Sequence, residues 1–180
     1  MIDPAAPGVP QPTAAAGGPP VQDSAAAADV RAVVKAMRRL DIGNGRLRVR
    51  LARELDVSVA ELNALAFVRD GGHLTPKQLS RDLHITTGSV TSMIDKLERS
   101  GFLQRKPNPA DRRSLLLQLT PAGDHAMSWV YDHFHRAVVA AVIRGGIPTE
   151  LQLTQFLDAA AAALEDLSEH VPDSRSENAL

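Results

Sequence analysis

The chain has 180 residues, and 20 Lys+Arg against 21 Asp+Glu leave a formal charge of -1, so net charge names no partner and local charge must decide. A hydrophobic content of 44% suffices for a core, and the length permits one domain of ordinary size or two very small ones. The absence of cysteine excludes a disulfide scaffold, a thiolate nucleophile, Cys-ligated zinc and a thiol redox sensor.

No apolar run approaches the ~20 residues that cross a bilayer. The longest, Ala137 to Ile143 and Ala159 to Leu164, are short and helix-like. The N-terminal stretch is Ala-rich, but six prolines break it and its first basic residue is Arg31, unlike a secretory signal. The expectation is a soluble cytoplasmic protein without a membrane partner. Residues 1–28 hold nine Ala, six Pro and three Gly, with Asp3 and Asp23 as the charges. That composition cannot build a core and reads as a disordered arm, although Ala25 to Ala28 can prolong a following helix.

From Asp29 onward, Val30, Val33, Val34, Met37 and Leu40, then Leu47, Leu51 and Leu55, recur at helical spacing. Gly43 and Gly45 each cost about 1 kcal/mol relative to Ala, which predicts a kink or short break near Asn44. Residues 31–53 also hold eight basic side chains and one acid, Asp41. Contact with a DNA backbone, pairing with the acidic C-terminal region across a dimer, and plain solvation all fit this charge.

Ser58 with Glu61 forms a capping box for a second helix that closes at Gly71-Gly72. Thr75 with Gln78, and Pro76 at the first helical position, open a third that runs to about Leu83. Thr86 or Thr87 caps a fourth, which carries Val90, Met93, Ile94 and Leu97 and ends at Gly101. The third and fourth helices and their short junction have the size of a helix-turn-helix. Thr86, Thr87, Ser89, Thr91 and Ser92 crowd the first turns of the fourth helix. Capping needs one or two of them; the others are small polar groups that let a helix approach base edges.

The period then changes. Phe102 to Lys106 and Ser114 to Leu119 suit two strands of a hairpin, with Arg105, Lys106, Arg112 and Arg113 in and beside its loop and Asp111 as the acid there. Over residues 73–119 the net charge is +4, and over 120–180 it is -6. Such segregation suits a nucleic-acid face beside an acidic region. Thr120-Pro121 starts a long helix ending at Gly145-Gly146, and Thr149 with Gln152 caps a last one to about Leu167. Leu153, Phe156, Leu157, Ala160, Leu164 and Leu167 give that helix an apolar stripe with no obvious intrachain partner.

No G-x-S-x-G or GK[ST] motif occurs, so no enzyme is read here and no cofactor is expected. His125, His133 and His135 lack the i, i+4 spacing of a zinc pair, so no metal is expected either. A winged helix used only for protein-protein contact is the alternative to DNA binding. A hydrophobic or acidic fourth-helix face would favour it, and the face here is polar with basic flanks.

Leu74-Thr75-Pro76, Gly88-Ser89-Val90-Thr91, Asp95-Lys96-Leu97-Glu98, Ser100-Gly101-Phe102-Leu103, Asp111-Arg112-Arg113-Ser114 and Leu119-Thr120-Pro121-Ala122-Gly123 resemble the MarR family of winged-helix transcription regulators. The detailed resemblance covers about fifty residues and its helix order roughly 140, with the Asp-x-Arg motif of the wing at the family's distance from its neighbours. It implies a mainly α fold, all-α with a small β-hairpin wing, in which a winged helix-turn-helix is flanked by dimerisation helices. The implied organisation is a disordered arm over 1–28, an N-terminal dimerisation helix over 29–56, the DNA-binding region over 57–120, C-terminal dimerisation helices over 121–168 and a flexible tail over 169–180.

The resemblance also implies a homodimer acting on a double-stranded, pseudo-palindromic operator as a transcription regulator of repressor type. Thr86, Thr87, Ser89, Thr91, Ser92 and Lys96 would face the major groove from the recognition helix, with Thr75 and Lys77 joining from the helix before the turn. In the wing, Asp111 would brace the loop, Arg113 would occupy the minor groove, and Arg112, Arg105 and Lys106 would lie on phosphate or groove. Ser92 stands where the family often carries a basic residue, which removes one contact that Lys96 would partly replace. Release is expected from a small aromatic or anionic effector near His125, Trp129 and an arginine of the first helix, although packing is the readier role for Trp129.

Overall fold

The computed structural model describes residues 25–111, 113–145 and 150–170. The arm expected over the first residues, the tail and the Thr149 cap lie almost wholly outside that range. Among the described residues, six helices and one hairpin follow in the order α1 (Ala25–Glu54), α2 (Val59–Gly71), α3 (Pro76–Asp82), α4 (Thr87–Arg99), β1 (Leu103–Pro107), β2 (Leu115–Leu119), α5 (Pro121–Gly145) and α6 (Glu150–His170). The long helix as far as Arg50 forms one unit, and the chain from Leu51 onward forms another.

In the first unit, α1 stays helical across Gly43-Asn44-Gly45, against the expected break. The two glycines sit among good helix formers, and Arg48 Nε donates to Asn44 Oδ1 one turn back at 3.3 Å, which supports the weak turn from outside.

The second unit is organised around Leu62, Leu65 and Val68 of α2, Leu79 of α3, Val90, Ile94 and Leu97 of α4, Leu117 of β2 and Met127 of α5, all fully buried. Removing each from water is worth about 1.5–3 kcal/mol. Both expected capping boxes form: Ser58 with Glu61 opens α2, and Thr75 with Gln78 opens α3. Thr86 is the cap of α4. Between α3 and α4, Ser80 Oγ donates to Ile85 O at 2.7 Å, and His84 takes the left-handed conformation at φ 52° that makes the turn tight.

The strands pair antiparallel with Leu103 opposite Leu119 and Pro107 opposite Leu115. Leu117 N donates to Leu74 O at 2.7 Å, which ties the hairpin to the segment before α3. At the base of the hairpin the chain folds back on itself tightly. Thr120 N donates to Phe102 O, Thr120 Oγ1 donates to Gly101 O at 2.6 Å, and Gly123 N donates to Thr120 Oγ1. A Cβ at Gly123 would lie 2.0 Å from Phe102 O, so only glycine lets α5 start this close to β1.

Not every apolar face is covered. Val30, Val34 and Leu40 of α1, Val138 and Ile143 of α5, and Phe156, Leu164 and Leu167 of α6 are exposed. Among the described residues, no helix is long and apolar enough to cross a membrane.

Candidate nucleic-acid interface

The first turns of α4 present their hydroxyls to solvent because Val90, Ile94 and Leu97 hold the opposite side of the helix in the core. Thr86 Oγ1 accepts from Ser89 N at 3.2 Å and shares a hydrogen bond with Ser89 Oγ at 2.9 Å. Thr91 Oγ1 donates to Thr87 O at 2.9 Å, and Ser92 Oγ donates to Gly88 O at 3.3 Å. The protons of Thr91 and Ser92 are thus spent on their own helix, and what these hydroxyls offer outward is acceptor lone pairs.

The hairpin loop is built by its own side chains. Asn108 Nδ2 donates to Ser114 Oγ at 2.8 Å, and Asn108 Oδ1 accepts from Ala110 N at 3.0 Å. Asp111 Oδ1 accepts from Arg113 N at 3.0 Å, while Asp111 O accepts from Ser114 N. Asp111 therefore shapes the turn, and the Arg113 side chain is exposed beside it. Arg112 lies outside the described residues. Lys106 is exposed on the hairpin.

Thr75, Lys77, Thr87, Asn108, Asp111 and Arg113 line one open groove of about 730 Å³ between the start of α3, the first turn of α4 and the hairpin loop. Five of these were expected at the site from sequence, and they come from three separate elements.

Two expected cations are committed elsewhere. Arg105 binds Asp95 through Nη2 at 2.6 Å and Glu98 through Nη1, and its backbone N–H donates to Glu98 at 2.9 Å. It clamps β1 to α4 instead of standing free. The acids that hold it are one turn apart on α4, ten and seven residues before it in the chain. Lys96 Nζ lies 3.0 Å from Glu61, a buried carboxylate of α2. Burial pushes the Glu61 carboxyl up, but the Ser58 N–H and the Lys96 ammonium outweigh this and hold it below the ordinary glutamate range. This pair joins residues 35 apart, and no local pattern announces it.

A further cluster escaped sequence reading. Arg69 of α2 donates to Asp124 O and Ser128 Oγ and stacks over the Tyr131 ring at 4.8 Å, while Tyr131 Oη donates to Asp70 at 2.6 Å. It fastens the first half of α5 to α2. A cavity of about 420 Å³ beside it is lined by Arg69, Gln104, Gln118, Thr120 and Asp124. His125 and Trp129 line neither this cavity nor the groove: His125 is exposed, and Trp129 packs edge-on against His133 with centroids 4.5 Å apart. Among the described residues, no group of three metal-ligating side chains is assembled.

Comparison with known proteins places residues 57–115, which include the α2 cap, both helices of the turn and the hairpin loop, in the match to the MarR family model. The multiple antibiotic resistance protein MarR of Salmonella typhimurium is 38% identical over 69 residues, 38% of this chain and 48% of that protein. The uncharacterised HTH-type transcriptional regulator YkoM of Bacillus subtilis is 32% identical over 102 residues, 57% of this chain and 66% of that protein. The chain thus spans about half the length of the first curated relative it matches. In fold it is similar to FabT of Streptococcus pneumoniae, solved in complex with DNA, with a TM-score of 0.57 at 24% identity over 79% of this chain and 98% of that one.

Proposed function

We propose that this chain, which belongs to the MarR family, is a transcription regulator that binds double-stranded DNA sequence-specifically. The observation that carries the reading is the groove in which Thr75, Lys77, Thr87, Asp111 and Arg113 converge beside the hydroxyl-rich face of α4. Small acceptors on a helix suit base edges in a major groove, and an exposed arginine on a braced loop suits phosphate or minor groove. Lys96 and Arg105 serve this surface by positioning α4 against α2 and β1. FabT and a MarR variant from E. coli were solved with DNA, the latter with operator DNA, and this supports DNA as the partner. The winged helix as a pure protein-protein module has no observation in its favour.

The regulator is proposed to be a cytoplasmic homodimer and a repressor, acting on a pseudo-palindrome whose half-sites lie about one helical turn, roughly 34 Å, apart. The exposed apolar residues of α1, α5 and α6 support dimerisation. Release is proposed to come from a small aromatic or anionic effector, whose preference for one dimer state would supply typically 1–3 kcal/mol of coupling. The test is protection mapping of the intergenic DNA beside the protein's own gene. A protected two-fold sequence supports the reading, and uniform weak protection at every sequence overturns it.

A further inference from the structure

We propose that α1 carries a second surface for duplex DNA, a basic arc that grips phosphates separately from the groove. The proposal rests on the function proposed above. At 3.6 residues per turn, the continuous helix gathers Arg31, Lys35, Arg38, Arg39, Arg46, Arg50 and Arg53 into an arc of about 120°. The acids of the helix, Asp29, Asp41 and Glu54, fall outside that arc. All seven cations are exposed, and among the described residues none of them has an acidic partner. Arg48, the one basic residue outside the arc, is half-buried and bonded to Asn44. A break at Gly43-Asn44-Gly45 would have separated these charges into two groups, and the unbroken helix keeps them in one line.

The geometry favours DNA over a lipid surface. The opposite side of α1, through Val33, Leu40 and Leu47, is apolar but contains no aromatic residue, whereas a helix that lies in a bilayer commonly carries Trp or Phe on that side. Six of the seven cations are arginine, whose planar fork matches phosphate oxygens in pairs. From Arg31 to Arg53 the arc is roughly 33 Å long, close to the roughly 34 Å of one DNA turn.

The experiment uses the full chain and a duplex of about 40 base pairs with scrambled sequence, titrated by fluorescence anisotropy across a salt series. Arg38→Gln/Arg39→Gln/Arg46→Gln/Arg50→Gln is expected to bind at least roughly tenfold more weakly at low salt, with the salt slope reduced by about three to four per protomer engaged, at about 0.9 per phosphate. The corresponding quadruple Lys variant should keep the slope, which separates lost charge from lost fold. Unchanged affinity and slope in the Gln variant would overturn the proposal. So would a loss that sedimentation traces to dimer dissociation at unchanged slope, or tighter binding of the wild type to vesicles with about 30% phosphatidylserine than to DNA. Ser89→Ala/Thr91→Ala tests the other surface: if it retains full preference for the intergenic DNA over the scrambled duplex, the proposed function fails while the result for α1 stands.

Discussion

Lys96 of α4 and Glu61 of the α2 cap are 3.0 Å apart, and the same carboxylate accepts the Ser58 backbone N–H at 2.7 Å. One buried acid therefore closes the start of α2 and fixes α4 beside it. Glu61→Ala should destabilise the protein by about 1–3 kcal/mol, since it opens the cap and removes a buried acceptor of a charged donor. Lys96→Ala should cost less than about 1 kcal/mol, because half of the lysine side chain is in water. Urea denaturation of both variants orders the two roles, and an equal or larger loss at Lys96 would contradict this assignment.

The direction of the Glu61 shift sets a pH dependence. A carboxyl whose folded pKa is lowered adds stability above its unfolded value, about 4.3 for glutamate, and loses it as pH falls through the folded value. The stability difference between wild type and Glu61→Gln should therefore stay level from about pH 7 to 5 and shrink below about pH 4. A difference that grew on acidification would reverse the sign.

Gly123→Ala should be far more damaging than its size suggests. Its methyl would meet the Phe102 carbonyl oxygen at 2.0 Å, backbone that cannot rotate away, so a loss of about 1–3 kcal/mol or more is expected. Gly43→Ala and Gly45→Ala have nothing within 4 Å of the new methyl and should each stabilise α1 by about 0.5–1 kcal/mol. Thermal unfolding of the three variants gives the comparison.

Groove and clamp should separate by readout. Arg113→Ala is expected to weaken binding to every sequence and to lower the salt slope by about one per protomer. Ser89→Ala and Thr91→Ala should change which bases are preferred. Arg105→Gln should lower stability through the loss of its Asp95 and Glu98 partners while leaving the salt slope near wild type. Anisotropy titrations on a set of single-base operator variants distinguish the three patterns, and a full unit of slope lost at Arg105 would return it to the DNA face.

Truncation after Gly146 removes α6 and its exposed Leu153, Phe156, Leu157, Leu164 and Leu167. Sedimentation should then show monomer or aggregate in place of the proposed dimer. A truncated chain with unchanged mass ratio would move the dimer contact elsewhere.

Element order and capping were legible in the residues because they are local. Ser58-Glu61, Thr75-Gln78 and Thr86 act within one turn of the helices they start, and the hairpin differs from its surroundings in period. What sequence could not reveal is long-range or compensatory. The partners of Lys96 and Arg69 lie 35 and more residues away, and the acids around Arg105 come from the preceding helix. The break expected at Gly43-Asn44-Gly45 is absent for a related reason: propensity counts the cost of glycine and omits the side-chain bond from Arg48 back to Asn44.

The knot at Gly101, Phe102, Thr120 and Gly123 makes a stiff elbow between the hairpin and α5. Bonds that join the residues before β1 to the first turn of α5 leave little room for the two to swing apart. A push on the start of α5 therefore passes straight into the base of the hairpin, with no slack joint between them to absorb it.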